Sequence, residues 1–459
     1  MRKPNVIVFF TDQQRFDTVG VHGNPMGLTP NFDRYARQGT HLFNAITVQP
    51  LCGPARSCMQ TGRFATQTGC WRNHIPLAQD AETLARVFNK GGYHTGYIGK
   101  WHLGSDDPVK APERGGYQSW LGANLLEFSS DAYDCLLWDE ENRRRKLPGY
   151  RVDALTDAAI RFVDTHQQEP FFLFMSFLEP HHQNHLDNYP PPRGRGLDSG
   201  HWVPPDLVAL QGTSPQHLPG YYGMVRRLDE AFGRLMDALI SLDLLDNTIV
   251  LFTSDHGCHF KTRNGEYKRS CHESSVRVPT LITGPGFVGG GEVRHLFGTI
   301  DVAPTLIDAA GLEVPASMMG RSILPVVRDK TAPWRDDILI QISESQTARA
   351  IRSARWKYSV TAPYDEAAQD AASYREEYLY DLDNDPYELV NLAGMSTFRG
   401  VADNMKGRLL DWIDRVEGKR PTIEDMAGTD PLQLIAAKGD GVAADRQGID
   451  PYRSPLLKF

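Results

Sequence analysis

The segment Asn5-Val6-Ile7-Val8-Phe9-Phe10-Thr11-Asp12-Gln13-Gln14 joins a compact apolar run to an abrupt polar stop. It reads as a buried strand whose C-terminal end carries functional groups. Outward from it the same pattern recurs. Ala81–Lys90 has the apolar spacing of a helix, ended by Gly91-Gly92. Tyr93–Ile98 is a second strand, running into Gly99-Lys100-Trp101-His102. Ala154–His166 reads as a helix, and Pro170–Leu178 as a strongly apolar strand ending at Glu179-Pro180-His181. A long amphipathic helix over Tyr221–Leu242 precedes a strand over Thr248–Thr253, which ends at Asp255-His256-Gly257. Strands alternating with helices specify an α/β fold: a large, mostly parallel mixed sheet flanked by helices. Asp12, Lys100, His102, His181, Asp255 and His256 all fall just past strand C-termini, the edge where open α/β sheets bind ligands.

The composition shifts near Thr331-Ala332-Pro333. Short strands are expected over 338–342, 350–351, 356–360 and 378–382, with a helix over 400–416. This divides the chain into a larger catalytic domain over 1–330, a smaller α+β subdomain over 331–418, and a Gly/Asp/Pro-rich tail over 419–459. His182–Ser199, rich in Pro, Arg and His, reads as a surface loop over the site. There is no internal repeat.

At 459 residues, 41% hydrophobic and 23% charged, the chain can bury a sizeable core without disulfide staples. Its 49 basic and 57 acidic residues give a net charge of -8, which argues against a nucleic-acid partner. Val6–Phe10 is too short for a signal-peptide core, and no stretch is long enough to span a membrane. The chain as written is therefore expected in the cytoplasm, with no membrane partner. Cys52, Cys58, Cys70, Cys135, Cys258 and Cys271 show no framework spacing and are expected as reduced, buried thiols. Nothing in the sequence fixes an oligomeric state.

The central segment for chemistry is Leu51-Cys52-Gly53-Pro54-Ala55-Arg56-Ser57-Cys58-Met59-Gln60-Thr61-Gly62-Arg63. Alone, Cys52 would be an ordinary buried cysteine before a helical turn. The spacing Cys-x-Pro-x-Arg followed by Thr-Gly-Arg resembles the signature of the formylglycine-dependent sulfatases, of the alkaline phosphatase-like superfamily. The resemblance implies that Cys52 is oxidised to formylglycine by a formylglycine-generating enzyme, its partner in maturation. A hydrated aldehyde carries two hydroxyls on one carbon. One attacks sulfur, and the other expels sulfate by collapsing back to the aldehyde, which a serine cannot do. Arg56 then supports the ionised hydrate.

A second segment, Gly92-Tyr93-His94-Thr95 with Gly99-Lys100-Trp101-His102-Leu103-Gly104, is similar to the family's second signature. By that resemblance Lys100 neutralises sulfate charge and His102 takes a proton during release. His181, after Glu179-Pro180, and Lys268, in Lys-x-x-x-x-Glu-x-x-x-Arg-Val-Pro, match residues that bind sulfate and help protonate the leaving oxygen. Asp12, Gln13, Asp255 and His256, with residue 52, are implied as ligands of one divalent cation. Oxygen ligands favour Ca²⁺ first, with Mg²⁺ or Mn²⁺ as alternatives, because Gln13 and His256 stand where many relatives have Asp and Asn. His182, His272, Arg72 and His74 join Lys100, His181 and Lys268 as candidate substrate contacts. Trp71 and Trp202 could add aromatic surface for a sugar. The stretches 355–358, 379–382, 385–388 and 391–392 look like the closing domain of sulfatases.

The expected activity is hydrolysis of a sulfate ester, as a small molecule or an oligosaccharide, with a sulfated carbohydrate preferred. One alternative is a phosphonate monoester or phosphodiester hydrolase of the same superfamily; those enzymes generally lack the Lys100–His102 pair. The other is a non-catalytic binder of anionic glycans, which would have no use for a nucleophile.

Overall fold

The computed structural model describes residues 3–194 and 201–426. Val6 to Phe10 lie within β1 (Asn5–Thr11), and none of the five has exposed surface. Val6, Val8 and Phe10 enter one hydrophobic core while Ile7 and Phe9 enter another, as the two-residue alternation of a strand requires. Each fully buried large side chain contributes roughly 1.5–3 kcal/mol, so this one strand ties two layers together.

The large sheet has ten strands: β1, β2 (Thr40–Ile46), β3 (His94–Lys100), β4 (Ser119–Ala123), β5 (Cys135–Asp139), β6 (Arg144–Leu147), β7 (Phe171–Ser176), β8 (Thr248–Ser254), β9 (Leu281–Thr283) and β10 (Gly291–Gly298). Their order is β10-β2-β9-β8-β1-β7-β3-β4-β5-β6. β1 pairs in parallel with both β7 and β8, and β3 extends the parallel core beyond β7. β9 and β5 run against their neighbours. The helices Pro30–Gln38, Arg151–His166 and Ser214–Ser241 cover the face of Ile7 and Phe9. Leu84–Lys90 and Val302–Ala309 cover the other. The expected α/β class and mixed, mostly parallel sheet are therefore observed.

Boundaries moved for identifiable reasons. The helix expected from Ala81 starts at Leu84, because the Thr83 hydroxyl accepts the Arg86 amide at 3.3 Å and caps it. The helix expected from Tyr221 starts at Ser214; Pro219 lies inside it and hid its first turns. The strands β2, β4, β5, β6, β9 and β10 were not anticipated.

A second, five-stranded sheet follows in the order β11 (Asp337–Ile342), β12 (Thr347–Ser353), β13 (Trp356–Ala362), β14 (Ser373–Asp381) and β15 (Thr422–Glu424). Arg399–Glu417 forms its helix. β15 comes from the segment read as tail and pairs in parallel with β14; residues 427–459 of that tail lie outside the described residues. Ile46, Val48 and Phe64 of the first region share one core with Ile338, Ile340, Tyr358 and Leu409 of the second. Buried ion pairs reinforce this junction: Lys357 Nζ lies 2.8 Å from Glu273 and 2.6 Å from Glu388. No helix among the described residues is long and apolar enough to cross a membrane. All six cysteines are buried and unpaired with one another, as expected.

Candidate active site

β8, β1, β7 and β3 are adjacent, so the residues at their C-terminal ends converge. Asp12 follows β1, Lys100 ends β3, His181 follows β7, and Asp255-His256 follow β8. Cys52 faces them from the first position of the helix Cys52–Thr61, whose N-terminal dipole favours negative charge. Its Sγ lies 3.7 Å from Asp12 Oδ1 and 3.3 Å from His256 Nε2, and Lys268 Nζ donates to it at 2.9 Å. Burial and the Asp12 carboxylate push the thiol up, but Lys100, Lys268 and His256 outweigh them and bring it to about 6.

Arg56 lies one helical turn beyond Cys52. Its guanidinium pairs with Asp12 Oδ2 at 2.9 Å and Asp255 Oδ2 at 3.4 Å, and donates to the Lys100 carbonyl and Ser176 hydroxyl at 2.7 Å each. Gly99 makes this approach possible. Its φ is +110°, and a Cβ there would sit 1.9 Å from the Ser176 carbonyl oxygen, so only glycine lets β3 close on β7 beneath Lys100. Lys100 Nζ then bridges Asp12 Oδ2 and Glu127 Oε1, both at 2.9 Å. Burial works against the Asp12 anion, yet Lys100, His181, Arg56 and Lys268 hold it well below the usual carboxylate range.

His102 adopts φ +58°, and both ring nitrogens are buried without a hydrogen-bond partner. Burial, only partly opposed by Glu127 3.8 Å away, drives this imidazole down to about 3. It is a neutral base at ordinary pH, held in a strained backbone of the kind that marks functional sites. His181 has the opposite arrangement, with both nitrogens engaged. Nδ1 meets the His182 carbonyl at 2.7 Å, which assigns the proton there and leaves Nε2 facing Lys268 Nζ at 2.9 Å.

The other candidates separate. His182 is buried and stacks on His181, with ring centroids 4.3 Å apart, so it borders the site. His74 is exposed at the rim, its ring 6.3 Å from that of His102. Arg72 is half-buried beside Trp71 and pairs loosely with Glu366 at 3.5 Å. Trp202 lies against Tyr222, whose hydroxyl donates to its carbonyl. His272 is a correction: its Nε2 meets the Tyr380 hydroxyl at 3.1 Å and its ring packs on Tyr378, so it serves the junction with the second sheet rather than the substrate. Of the surface loop read over 182–199, residues 195–199 lie outside the described residues. Sequence reasoning missed Glu127, Asn73 and Tyr189. Asn73 Oδ1 accepts the Gly53 amide at 3.0 Å, and the Tyr189 hydroxyl accepts from Gln13 Nε2 at 2.9 Å. None of the three sits in a motif.

Asp12, Cys52, Asp255 and His256 offer ligand atoms that all lie within 4.8 Å of one another. His256 Nε2 is 3.7 Å from Asp12 Oδ1 and 3.6 Å from Asp255 Oδ1, and Gln13 Oε1 is buried with no partner. Burial and the neighbouring Asp12 push the Asp255 carboxyl up to about 6. Two close carboxylates and an orphaned amide oxygen fit one divalent cation at this position.

Residues 4–312 match the family described as Sulfatase. The chain belongs to the sulfatase family. As a sulfatase it is a sulfuric ester hydrolase, and its architecture is alkaline phosphatase-like. Residues 265–415 of the sulfatase also match the family described as N-sulphoglucosamine sulphohydrolase, C-terminal, a span that takes in Lys268 as well as β11 to β14 of the second sheet. It is 30% identical over 457 residues to the uncharacterized sulfatase YidJ of Escherichia coli, covering 91% of this chain and 88% of the other. It is 28% identical over 431 residues to an ulvan-active sulfatase of Formosa agariphila, covering 89% and 80%. Its fold matches, with TM-score 0.76 and 23% identity over 92% of this chain and 99% of the other, a solved protein in complex with its substrate D-glucosamine-2-N,6-O-disulfate. Sulfatases use a divalent metal and a formylglycine, and the cluster around Asp12 and Asp255 suits the first of these.

Proposed function

We propose that this sulfatase hydrolyses sulfate esters of a sulfated carbohydrate, with residue 52 acting as formylglycine and Ca²⁺ as the preferred ion. The observation that carries the reading is the position of Cys52 Sγ, at a helix N-terminus between Lys268 Nζ at 2.9 Å and His256 Nε2 at 3.3 Å. In the mature enzyme that sulfur stands for a hydroxyl oxygen of the formylglycine hydrate. The hydrate and the cation supply a nucleophilic oxygen at neutral pH and a second hydroxyl for release.

The chain's own residues do the rest. Asp12, Gln13, Asp255 and His256 would hold the cation. Lys100 and Lys268 face the volume in front of residue 52 and counter the charge of the sulfate oxygens. His181 and Lys268 share a contact of 2.9 Å and stand where a proton must reach the leaving oxygen. His102, neutral and unpartnered, accepts a proton from residue 52 when sulfate departs. Glu127 fixes Lys100 and faces His102. Maturation requires a formylglycine-generating enzyme. The carbohydrate assignment draws support from the ulvan-active relative and from a Bacteroides thetaiotaomicron N-acetylglucosamine-6-O-sulfatase, 25% identical over 481 residues.

The test is a substrate panel run on protein whose residue 52 has been identified by mass spectrometry. Turnover of sulfated oligosaccharides above aryl sulfate, and of both above aryl phosphonate and phosphodiester, is expected. Full turnover by protein carrying only unmodified cysteine would remove the formylglycine, and a phosphonate preference would remove the sulfate ester.

A further inference from the structure

We infer that Glu344, in the turn between β11 and β12 of the second sheet, is a positioning residue that sets the nucleophile and the sulfate-binding lysine relative to each other. The inference rests on the roles proposed for residue 52 and Lys268. Each oxygen of its carboxylate is committed to one of these two. Oε1 accepts the Asn73 amide at 2.7 Å, and Asn73 Oδ1 in turn accepts the Gly53 amide at 3.0 Å, directly after Cys52. The fit at that link is close: a Cβ on Gly53 would lie 3.1 Å from Asn73 Oδ1. Oε2 pairs with Arg269 Nη2 at 2.7 Å, and Arg269 directly follows Lys268. The Arg269 amide donates to the Pro50 carbonyl at 3.2 Å, two residues before Cys52, and the Ser345 hydroxyl donates to the Arg269 carbonyl at 2.7 Å. The turn thus grips both strands of chain that meet at Cys52.

Two further observations set Glu344 apart from an ordinary surface acid. Its side chain is 12% exposed and that of Arg269 4%, so the pair acts with little solvent screening. Both residues also sit in the left-handed region, Glu344 at φ +68° and Arg269 at φ +67°. Glycine adopts that conformation freely and glutamate does not, so a glutamate here retains a strained backbone in return for its carboxylate. The second sheet therefore contributes to the site although it supplies no group that touches the reacting atoms.

Strain separates this role from a merely structural one. Compared with Glu344→Ala, which loses the same contacts and keeps the strain, Glu344→Gly relaxes the backbone and offsets part of the stability lost with the buried Arg269 pair, so Glu344→Gly should have the higher Tm of the two variants. The kcat of Glu344→Gly should fall roughly a hundredfold, since small displacements of reacting groups are costly, while KM changes by less than about threefold. Glu344→Gln, which keeps an acceptor for Asn73 but loses the charge facing Arg269, should recover part of the loss. The Gly and Gln variants should match the wild type in bound metal and in the mass of the residue-52 peptide. Kinetics are run on whichever ester of the panel, sulfate or phosphonate, the wild type turns over best, so that an error in the substrate reading leaves this test intact. A kcat within about threefold of wild type in the Gly and Gln variants, or a loss of kcat explained by a matching loss of Tm, would overturn the inference.

Discussion

Lys100 Nζ and Glu127 Oε1 form an ion pair of 2.9 Å with both side chains out of solvent. Burial alone would raise the Glu127 carboxyl, yet Lys100 and His102 bring it down to about 2, so it is an anion under all working conditions. Removing it leaves a buried ammonium with Asp12 as its remaining carboxylate partner. Because Asp12 still pairs with the ammonium, Glu127→Ala should cost about 2 kcal/mol in urea unfolding, the scale of one charged hydrogen bond, and should also lower kcat. Wild-type unfolding and turnover in this variant would show that the pair is dispensable.

His102 should separate the two halves of the reaction. If it accepts a proton only on release, His102→Ala should give a burst of about one equivalent of alcohol product, followed by turnover slowed on the order of 10²–10⁴-fold. Rapid-quench measurement of alcohol and of inorganic sulfate resolves the two. Equal slowing of burst and steady state would move His102 to the first step.

Cation binding should be carried chiefly by the two carboxylates. Asp12→Asn and Asp255→Asn should lose metal on elemental analysis and lose activity, and EDTA should do the same to the wild type. Metal at a hundredfold over its Kd adds about 2.7 kcal/mol of stability, so the chelated protein should also melt earlier. Gln13→Asp should shift preference toward Ca²⁺ or Mg²⁺ by adding a charged oxygen. Metal-free enzyme with full activity would remove this site from the chemistry.

Acid sensitivity should trace in part to a histidine pair that is not among the site residues. His22 Nε2 and His41 Nε2 lie 3.1 Å apart, beside Arg277 and Arg294, with Glu292 3.8 Å from the His41 ring. Burial, then Arg277 and Arg294, hold His41 down at about 4, and burial with Arg277 holds His22 well below its usual range. An unfolded histidine titrates near 6.5, so the unfolded chain takes up these protons first. Stability is then complete above about pH 6.5 and lost progressively toward pH 4, on the order of 2 kcal/mol for His41. Urea unfolding at about pH 7.5 and 5 should show His41→Gln with a smaller loss than wild type. An unchanged difference between the two pH values would clear His41 of that role.

The catalytic edge was legible because β1, β3, β7 and β8 are buried on both faces and end in polar residues, a contrast that one sequence displays directly. The outer strands were not. β6 carries Arg144, Arg145 and Lys146, all exposed, and nothing in such a run announces a strand until β5 pairs with it. Glu127 and Glu344 escaped for another reason: each acts across the fold, through Lys100 and Asn73, and no local spacing encodes a partner that distant. His272 misled in the converse way. It follows Lys268 closely in sequence, yet its ring turns to the second sheet.

Every residue from Cys52 to Thr61 is buried, and Cys52 itself is 1% exposed. Any enzyme that modifies the thiol must reach it before the segment is packed, because the finished fold does not expose it. Under the maturation proposed for residue 52, oxidation and folding would compete for the same nascent chain, and the outcome would be recorded permanently in each molecule. A population that folds too fast, or is made where the modifying enzyme is scarce, would carry dormant copies of native shape and stability. Faster folding, ordinarily an advantage, would here lower the specific activity of the product.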